Sequence, residues 1–201
     1  MPLFPKIISN LETKDPSPER KKALSALIYW IKEKKNNKET IRLNFICTHN
    51  SRRSHLAQVW AQALAYHYGL IGIECYSGGT SETALFPKIA ETLEFSGFEI
   101  RPLSKGENPI ISIKYAENEL PIIGFSKVFD SHFNPKSFAA ILVCDQADQE
   151  CPVILGAEAR FSLPFWDPKT FDDTALQTEK YLESSLQIAN EMAFVFSSIG
   201  D

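Results

Sequence analysis

The sequence predicts an α/β protein: a doubly wound parallel four-stranded sheet with helices on both faces, carrying an N-terminal helix and an inserted hairpin. Three observations lead there. From Ile41 the chain runs strand, helix, strand, helix, an order satisfied by parallel strands joined through crossover helices. Phe138 to Cys144 is an almost wholly apolar run, the pattern of a central strand buried on both faces. Over 201 residues the composition is 44% hydrophobic, 11% aromatic and 23% charged, that of one ordinary globular domain rather than a disordered, fibrous or membrane chain.

Residues 1–40 read as a helical extension. Pro2, Pro5, Pro16 and Pro18 punctuate it, and Ser17-Pro18-Glu19 makes a cap and first turn. Leu24, Leu27, Ile28 and Ile31 then recur at helical spacing, with Lys21, Lys22, Lys32 and Lys34 off that stripe. A helix packed on the domain's edge explains this more simply than a partner-binding helix. Residues 41–199 read as the α/β domain, with an insertion at about 105–135. There Ile41, Leu43 and Phe45 alternate with Arg42 and Asn44, and Ile46 and Cys47 close the first strand. From Ser54 a helix carries Leu56, Val59, Trp60, Ala63, Leu64 and His67 on one side, and Gly69 ends it. Ile71 to Tyr76 is the second strand, Ser77 to Thr80 a glycine-containing turn, and Thr83 to Gly97 a helix with Pro87 in its first turn. Between about 105 and 135 the pattern breaks: Ile110 to Tyr115 and Ile122 to Val128 are strand-like, which suggests an inserted hairpin or extended excursion. Phe161 to Phe165 supplies the last strand. From Thr174 onward Leu182, Leu186, Ala189, Ala193 and Phe196 form the closing helix.

With 21 basic and 25 acidic side chains the formal charge is -4, which offers no net attraction to nucleic acid or an anionic membrane, so neither is expected as a partner. No run of eighteen apolar residues occurs, and the start turns polar after a short apolar stretch, so a soluble, unprocessed protein is expected. Four cysteines are too few for a disulfide scaffold; they read as buried residues or reactive thiols in a reducing compartment, the cytoplasm. No metal or bound cofactor is expected.

Cys47 to Ser54 reads Cys-Thr-His-Asn-Ser-Arg-Arg-Ser, so five residues separate Cys47 from Arg53 between a strand and a helix. At such a turn the backbone N–H groups from Thr48 to Ser54, with the unsatisfied donors of the helix start, form a concave positive site for a tetrahedral oxyanion. Arg53 adds a planar two-pronged donor. The same field favours the thiolate of Cys47, the candidate nucleophile, and Ser54 is placed to donate to its sulfur. Asn50 is expected in a left-handed conformation that lets the loop curl. His49 either tunes the thiolate or caps the loop. Ser51 and Arg52 complete the candidate oxyanion site, Arg52 with its side chain toward solvent. Outside this context Cys47 would be a buried strand-end residue and Arg53 a surface helix residue.

These residues resemble the low-molecular-weight phosphotyrosine phosphatase superfamily, whose signature is a cysteine, five residues, an arginine and a serine after the first strand. The resemblance spans Ile41 to Ser104 and Lys136 to Ile199. It continues in Tyr76-Ser77-Gly78-Gly79-Thr80, similar to the family's second-strand turn, and in Trp166-Asp167-Pro168, which looks like the Asp-Pro carrying its general acid. It implies the phosphotyrosine protein phosphatase I-like fold, with Asp167 protonating the oxygen that leaves when the thiolate attacks. Leu103 to Pro135 and the first forty residues have no counterpart in the family core. Ser126, Lys127 and Asp130 fall where the insertion rejoins it, either reaching the pocket or serving as scaffold.

Cys144 and Cys151 stand seven positions apart, the first at the end of the third sheet strand and so on the same sheet edge as Cys47. This pair resembles that of the thioredoxin-coupled arsenate reductases, a branch of the superfamily. The resemblance implies that Cys47 attacks arsenate, Cys144 attacks the sulfur of the adduct as arsenite leaves, and Cys151 then attacks Cys144 to form a disulfide for external thioredoxin. Such exchange needs sulfur contact, so the polar segment Asp145 to Glu150 must bend or rearrange. Cys75, inside an apolar strand, reads as inert filler. The phosphatase branch commonly carries a second loop cysteine where this chain has Arg52, and a tyrosine after Asp-Pro where it has Lys169. A phosphatase working through a Cys47 phosphoenzyme and a non-catalytic anion-binding module remain the alternatives.

Overall fold

Strand β1 (Ile41–Cys47) lies at the centre because its apolar side chains face both ways, leaving only Arg42 partly exposed. The computed structural model describes residues 3–11, 14–150 and 153–200, which leaves Pro2, Cys151 and Pro152 outside the described residues. Short helix α1 (Pro5–Asn10) and helix α2 (Pro18–Asn36) precede β1, and helix α3 (Arg53–His67) follows it. Then come β2 (Ile73–Gly79), α4 (Pro87–Ser96), β3 (Glu99–Pro102), β4 (Ile111–Lys114) and β5 (Ile122–Gly124). The chain closes with β6 (Phe138–Leu142), the short helix α5 (Asp145–Glu150), β7 (Ala157–Ser162), a 3₁₀ turn at Pro168–Phe171 and α6 (Gln177–Gly200).

The main sheet has the order β2-β1-β6-β7, and every pairing in it is parallel. Leu43 and Phe45 of β1 enter one core with Leu24, Leu27 and Ile31 of α2, Trp60 of α3 and Ile188 and Phe196 of α6. Ile46, Ala140 and Leu142 face the other way, into a second cluster with Phe138 and Ile154, against which Phe129 packs. Burial of this apolar area, at roughly 25 cal/mol per Å², is what holds the layers together. The inserted segment forms the expected hairpin, with Ile113 opposite Ile122, and β3 extends it to a three-stranded antiparallel sheet.

The outer edge of β2 would be a template for another chain, but side-chain amides close it. Gln62 accepts from Cys75 N–H (2.9 Å) and donates to the Ile73 carbonyl (3.3 Å), Gln58 donates to the Cys75 carbonyl (3.1 Å), and Asn134 donates to the Ser77 carbonyl (3.0 Å).

Several boundaries differ from the sequence reading. Ser77 to Gly79 are strand rather than turn, because Cys47 pairs directly with Gly79. Helix α4 starts at Pro87, not Thr83: a residue before proline is pushed out of the helical region, and Phe86 sits at φ -68°, ψ 126°. The last strand lies at Ala157–Ser162, since the alternation of half-buried and exposed residues there leaves little hydrophobic signal. The polar segment from Asp145 is helical, and α1 carries no legible cap or stripe. No helix among the described residues is long and apolar enough to cross a membrane.

Candidate active site

Cys47 ends β1 and Arg53 begins α3, so the intervening loop curls at the carboxyl edge of the sheet. Asn50 makes the curl: its φ is +45°, the left-handed conformation expected of it. The residue is wholly buried, and its amide is oriented by two partners. Oδ1 accepts from the Lys127 backbone N–H (3.0 Å), so Nδ2 must donate to Ser54 Oγ (2.9 Å). With its oxygen accepting from Asn50, the Ser54 hydroxyl hydrogen is free for the Cys47 sulfur, 3.2 Å away. The chain Asn50 to Ser54 to Cys47 therefore delivers a donor to the candidate nucleophile.

The loop is clamped from the β2 side by close backbone approach. A Cβ on Gly79 would stand 2.3 Å from the Ser81 carbonyl oxygen and 2.8 Å from both Asn50 N and Thr48 O, so only glycine fits. Thr80 N–H donates to the Cys47 carbonyl (3.1 Å), Ser81 N–H to that of Thr48 (2.9 Å) and Phe86 N–H to that of Ser51 (3.1 Å). From the insertion, Ser126 Oγ donates to the His49 carbonyl (2.9 Å). Ser126 and Lys127 thus brace the loop from behind, and Asp130 lies elsewhere, on an exposed surface beside Lys136.

His55, which the sequence reading missed, lies with Lys127 in a layer beneath the loop. Burial, with the nearby Lys127 charge, pulls the His55 imidazole down to about 3, so the ring is neutral: Nε2–H donates to the Asn50 carbonyl (2.9 Å), and Nδ1 accepts from Ser77 Oγ (3.4 Å). Burial also pulls the Lys127 ammonium down to about 8, where it stands over the Phe125 ring at 4.6 Å and donates to the Phe125 carbonyl.

A cavity of about 170 Å³ opens above Cys47, lined by Thr48, His49, Ser51, Arg52, Arg53, Gln146, Asp167 and Lys169. The expected loop residues and Asp167 are thus brought together, while Asn50 and Ser54 act from underneath. Among the described residues no Phe, Tyr or Trp side chain lines the cavity. Arg53 divides its guanidinium: Nη1 donates to the Phe165 carbonyl (2.9 Å) and Nη2 to Asp167 Oδ2 (2.5 Å). Asp167 Oδ1 also accepts from the Lys169 N–H (3.0 Å), capping the 3₁₀ turn. His49 is exposed at the rim, its Nδ1 3.0 Å from Ser81 Oγ.

Arg52 corrects the sequence reading. Its side chain is only 14% exposed and does not point to solvent. Nε donates to Tyr181 Oη (2.7 Å), Nη2 to Asp172 Oδ2 (2.5 Å), and the guanidinium lies 4.0 Å from the centre of the Phe86 ring. Two acceptors and an aromatic face replace much of its hydration.

Cys144 is buried at the same sheet edge, directly after the residue whose N–H bonds the Ile46 carbonyl. Its sulfur lies 3.6 Å from Thr48 Oγ1 and accepts from Ala147 N–H (3.4 Å). Cys151 lies outside the described residues. Cys75 sits within β2, where burial pushes its thiol up, away from the ionised form.

Residues 42–117 match the family model described as low molecular weight phosphotyrosine protein phosphatase. This segment, less than half of the chain, is similar to that family. The family is one of enzymes. Two solved structures share the phosphatase-superfamily fold at low identity. A low molecular weight protein tyrosine phosphatase from Bacillus subtilis is 14% identical with a TM-score of 0.52, over 79% of this chain and 96% of that one. A YwlE mutant from Bacillus subtilis is 13% identical with a TM-score of 0.51, over 80% and 99%. An arsenate reductase from Archaeoglobus fulgidus is 15% identical over 79% and 99%, but its TM-score of 0.47 is too low to bear on the chemistry. No curated protein sequence matches the chain.

Proposed function

We propose that this protein is a member of that superfamily and an arsenate reductase that works through Cys47, Cys144 and Cys151 with external thioredoxin as reductant, in a reducing compartment such as the cytoplasm. The observation that carries the reading is the place of the second sulfur: Cys144 Sγ touches the hydroxyl of Thr48, the residue next to Cys47. The all-polar cavity lining supports a small hydrophilic oxyanion over an aryl ester, which an aromatic wall would favour. The Cys47 thiolate attacks arsenic, and the displaced oxygen leaves protonated by Asp167. The Cys144 thiolate then attacks Cys47 Sγ; the S–As bond breaks, its electron pair stays on arsenic, and arsenite departs as the Cys47–Cys144 disulfide forms. Cys151 attacks Cys144, freeing the Cys47 thiolate, and the thioredoxin dithiol reduces the resulting disulfide.

Hydrolysis of a phosphoester through a Cys47 phosphoenzyme is the second reading, supported by the family match and by Asp167 at the cavity mouth. Arsenate reduction coupled to thioredoxin and NADPH separates the two. The relay predicts that Cys47→Ser, Cys144→Ser and Cys151→Ser each stop turnover, whereas a phosphatase loses activity only with Cys47→Ser. Brisk hydrolysis of an aryl phosphate that survives Cys144→Ser overturns the reductase. Activity in neither assay leaves an anion-binding module.

A further inference from the structure

Arg53 already donates to two partners, the Phe165 carbonyl and Asp167. The Nη2 that would grip an oxyanion donates to Asp167, so an anion drawn to Arg53 competes for the contact that holds the acid-bearing segment. A surface segment held by that contact alone would lose its position on its release, and a misplacement of about 1 Å can cost about a hundredfold in rate.

The structure supplies a second anchor at the far end of the same 3₁₀ turn. Asp172 follows the turn whose start Asp167 caps, and its N–H donates to the Lys169 carbonyl (3.0 Å). Its carboxylate accepts from Arg52 through Oδ2 and from the Tyr181 hydroxyl through Oδ1, each at 2.5 Å. Tyr181, fully buried on α6, takes the Arg52 Nε–H on the same oxygen. Its ring packs on Phe86 at 5.8 Å between centroids, and the Phe86 N–H returns to the loop at Ser51. Burial, reinforced by Asp172, pushes the Tyr181 phenol up, which keeps its proton available for Asp172.

We propose that Arg52, Asp172 and Tyr181 form a latch that holds segment 167–172 on the anion loop independently of Arg53, making Asp172 and Tyr181 positioning residues for Asp167. This rests on the reading of Asp167 as proton donor. The two adjacent arginines thereby divide the work: Arg53 is free to exchange Asp167 for an anion because Arg52 does not let go. Both Arg52 bonds are made to side chains with little solvent access, where they persist better than exposed pairs.

Amide hydrogen exchange at Lys169 and Asp172 tests the latch without any ligand, using Arg53→Ala to release Asp167. Arg53→Ala alone should keep protection at both amides within about threefold of wild type, and adding Tyr181→Phe should cut it at least about tenfold, with β1 amides unchanged as the control for folding. Loss of protection in Arg53→Ala alone, or no further loss with Tyr181→Phe, overturns the latch. In turnover assays Tyr181→Phe in the otherwise native protein should lower kcat with KM unchanged. Asp167→Asn reads the other premise: if it leaves the rate and its pH profile intact, Asp167 is not the donor, and the exchange measurements still judge the latch by themselves.

Discussion

Cys47 and Cys75 stand on adjacent parallel strands of one sheet, yet their surroundings are opposite. Cys75 pairs with Leu43, four residues before Cys47, so it lies inside the sheet while Cys47 lies at its carboxyl edge. Inside, every neighbouring dipole is engaged in the strand ladder or its Gln58 and Gln62 caps, and burial pushes the Cys75 thiol toward its neutral form. At the edge, the strand gives way to the loop that leads into α3, and the Ser54 hydroxyl stands 3.2 Å from the Cys47 sulfur. A distance of four residues along a strand separates filler from chemistry, because only the strand's end offers donors that no neighbouring strand has claimed.

The largest effect should come from exchanging the two. Cys47→Ser is expected to lower turnover of either arsenate or an aryl phosphate by about a thousandfold or more, whereas Cys75→Ala should leave it within about twofold. Thiol labelling with iodoacetamide at neutral pH should mark Cys47 and spare Cys75. Fast labelling of Cys75 in the folded protein would erase the distinction.

Next in size is Gly79→Ala. Its Cβ would collide with backbone atoms on both the Asn50 and Ser81 sides rather than with yielding side-chain tips. The loop must shift, and kcat/KM should fall by about a hundredfold while the rest of the sheet stays folded by circular dichroism. Full activity in this variant would mean that the loop does not depend on the close approach of β2.

How much of this was legible in the chain follows from how local each feature is. The Cys47 to Ser54 loop was readable because strand end, curl and helix start are consecutive, and even the left-handed Asn50 follows from its residue type. The two glycines of β2 were readable as a motif but misread as a turn, because the partners that make them strand, Ile46 and Cys47, lie on β1, more than thirty residues earlier. Arg52 was misdirected for the same reason: its partners Asp172 and Tyr181 stand 120 and 129 residues away. His55 gave no signal, since its burial depends on the packing of α3 beneath the loop and against Ser77 of β2, 22 residues away.

A smaller effect should appear in stability against pH. His55 is held neutral at about 3 against an unperturbed value of 6.5, so between those limits the unfolded chain binds a proton that the folded protein refuses. Stability is therefore fully present above about pH 6.5 and falls on acidification, by up to about 1.4 kcal/mol per pH unit from this group. Urea unfolding of wild type and His55→Gln from pH 7 to 4 should show a shallower slope in the variant. Parallel slopes would mean that the imidazole charges in the folded state and the layer beneath the loop is wetter than the geometry indicates.

Ser54→Ala should give the smallest change and the sharpest one. The hydroxyl is a single donor, and a hydrogen bond to a charged acceptor contributes about 1.5–3 kcal/mol, of which the loop's N–H groups recover part. Alkylation of Cys47 at neutral pH is expected to slow by about threefold to tenfold, with Cys75 unaffected. Asn50 Nδ2 then loses its acceptor as well, so Asn50→Ala should slow the reaction at least as much, and the double variant should show less than the sum of the two because both act through one chain to the sulfur. Strict additivity would instead place Asn50's contribution in the backbone conformation alone, leaving Ser54 as an independent donor at the sheet's edge.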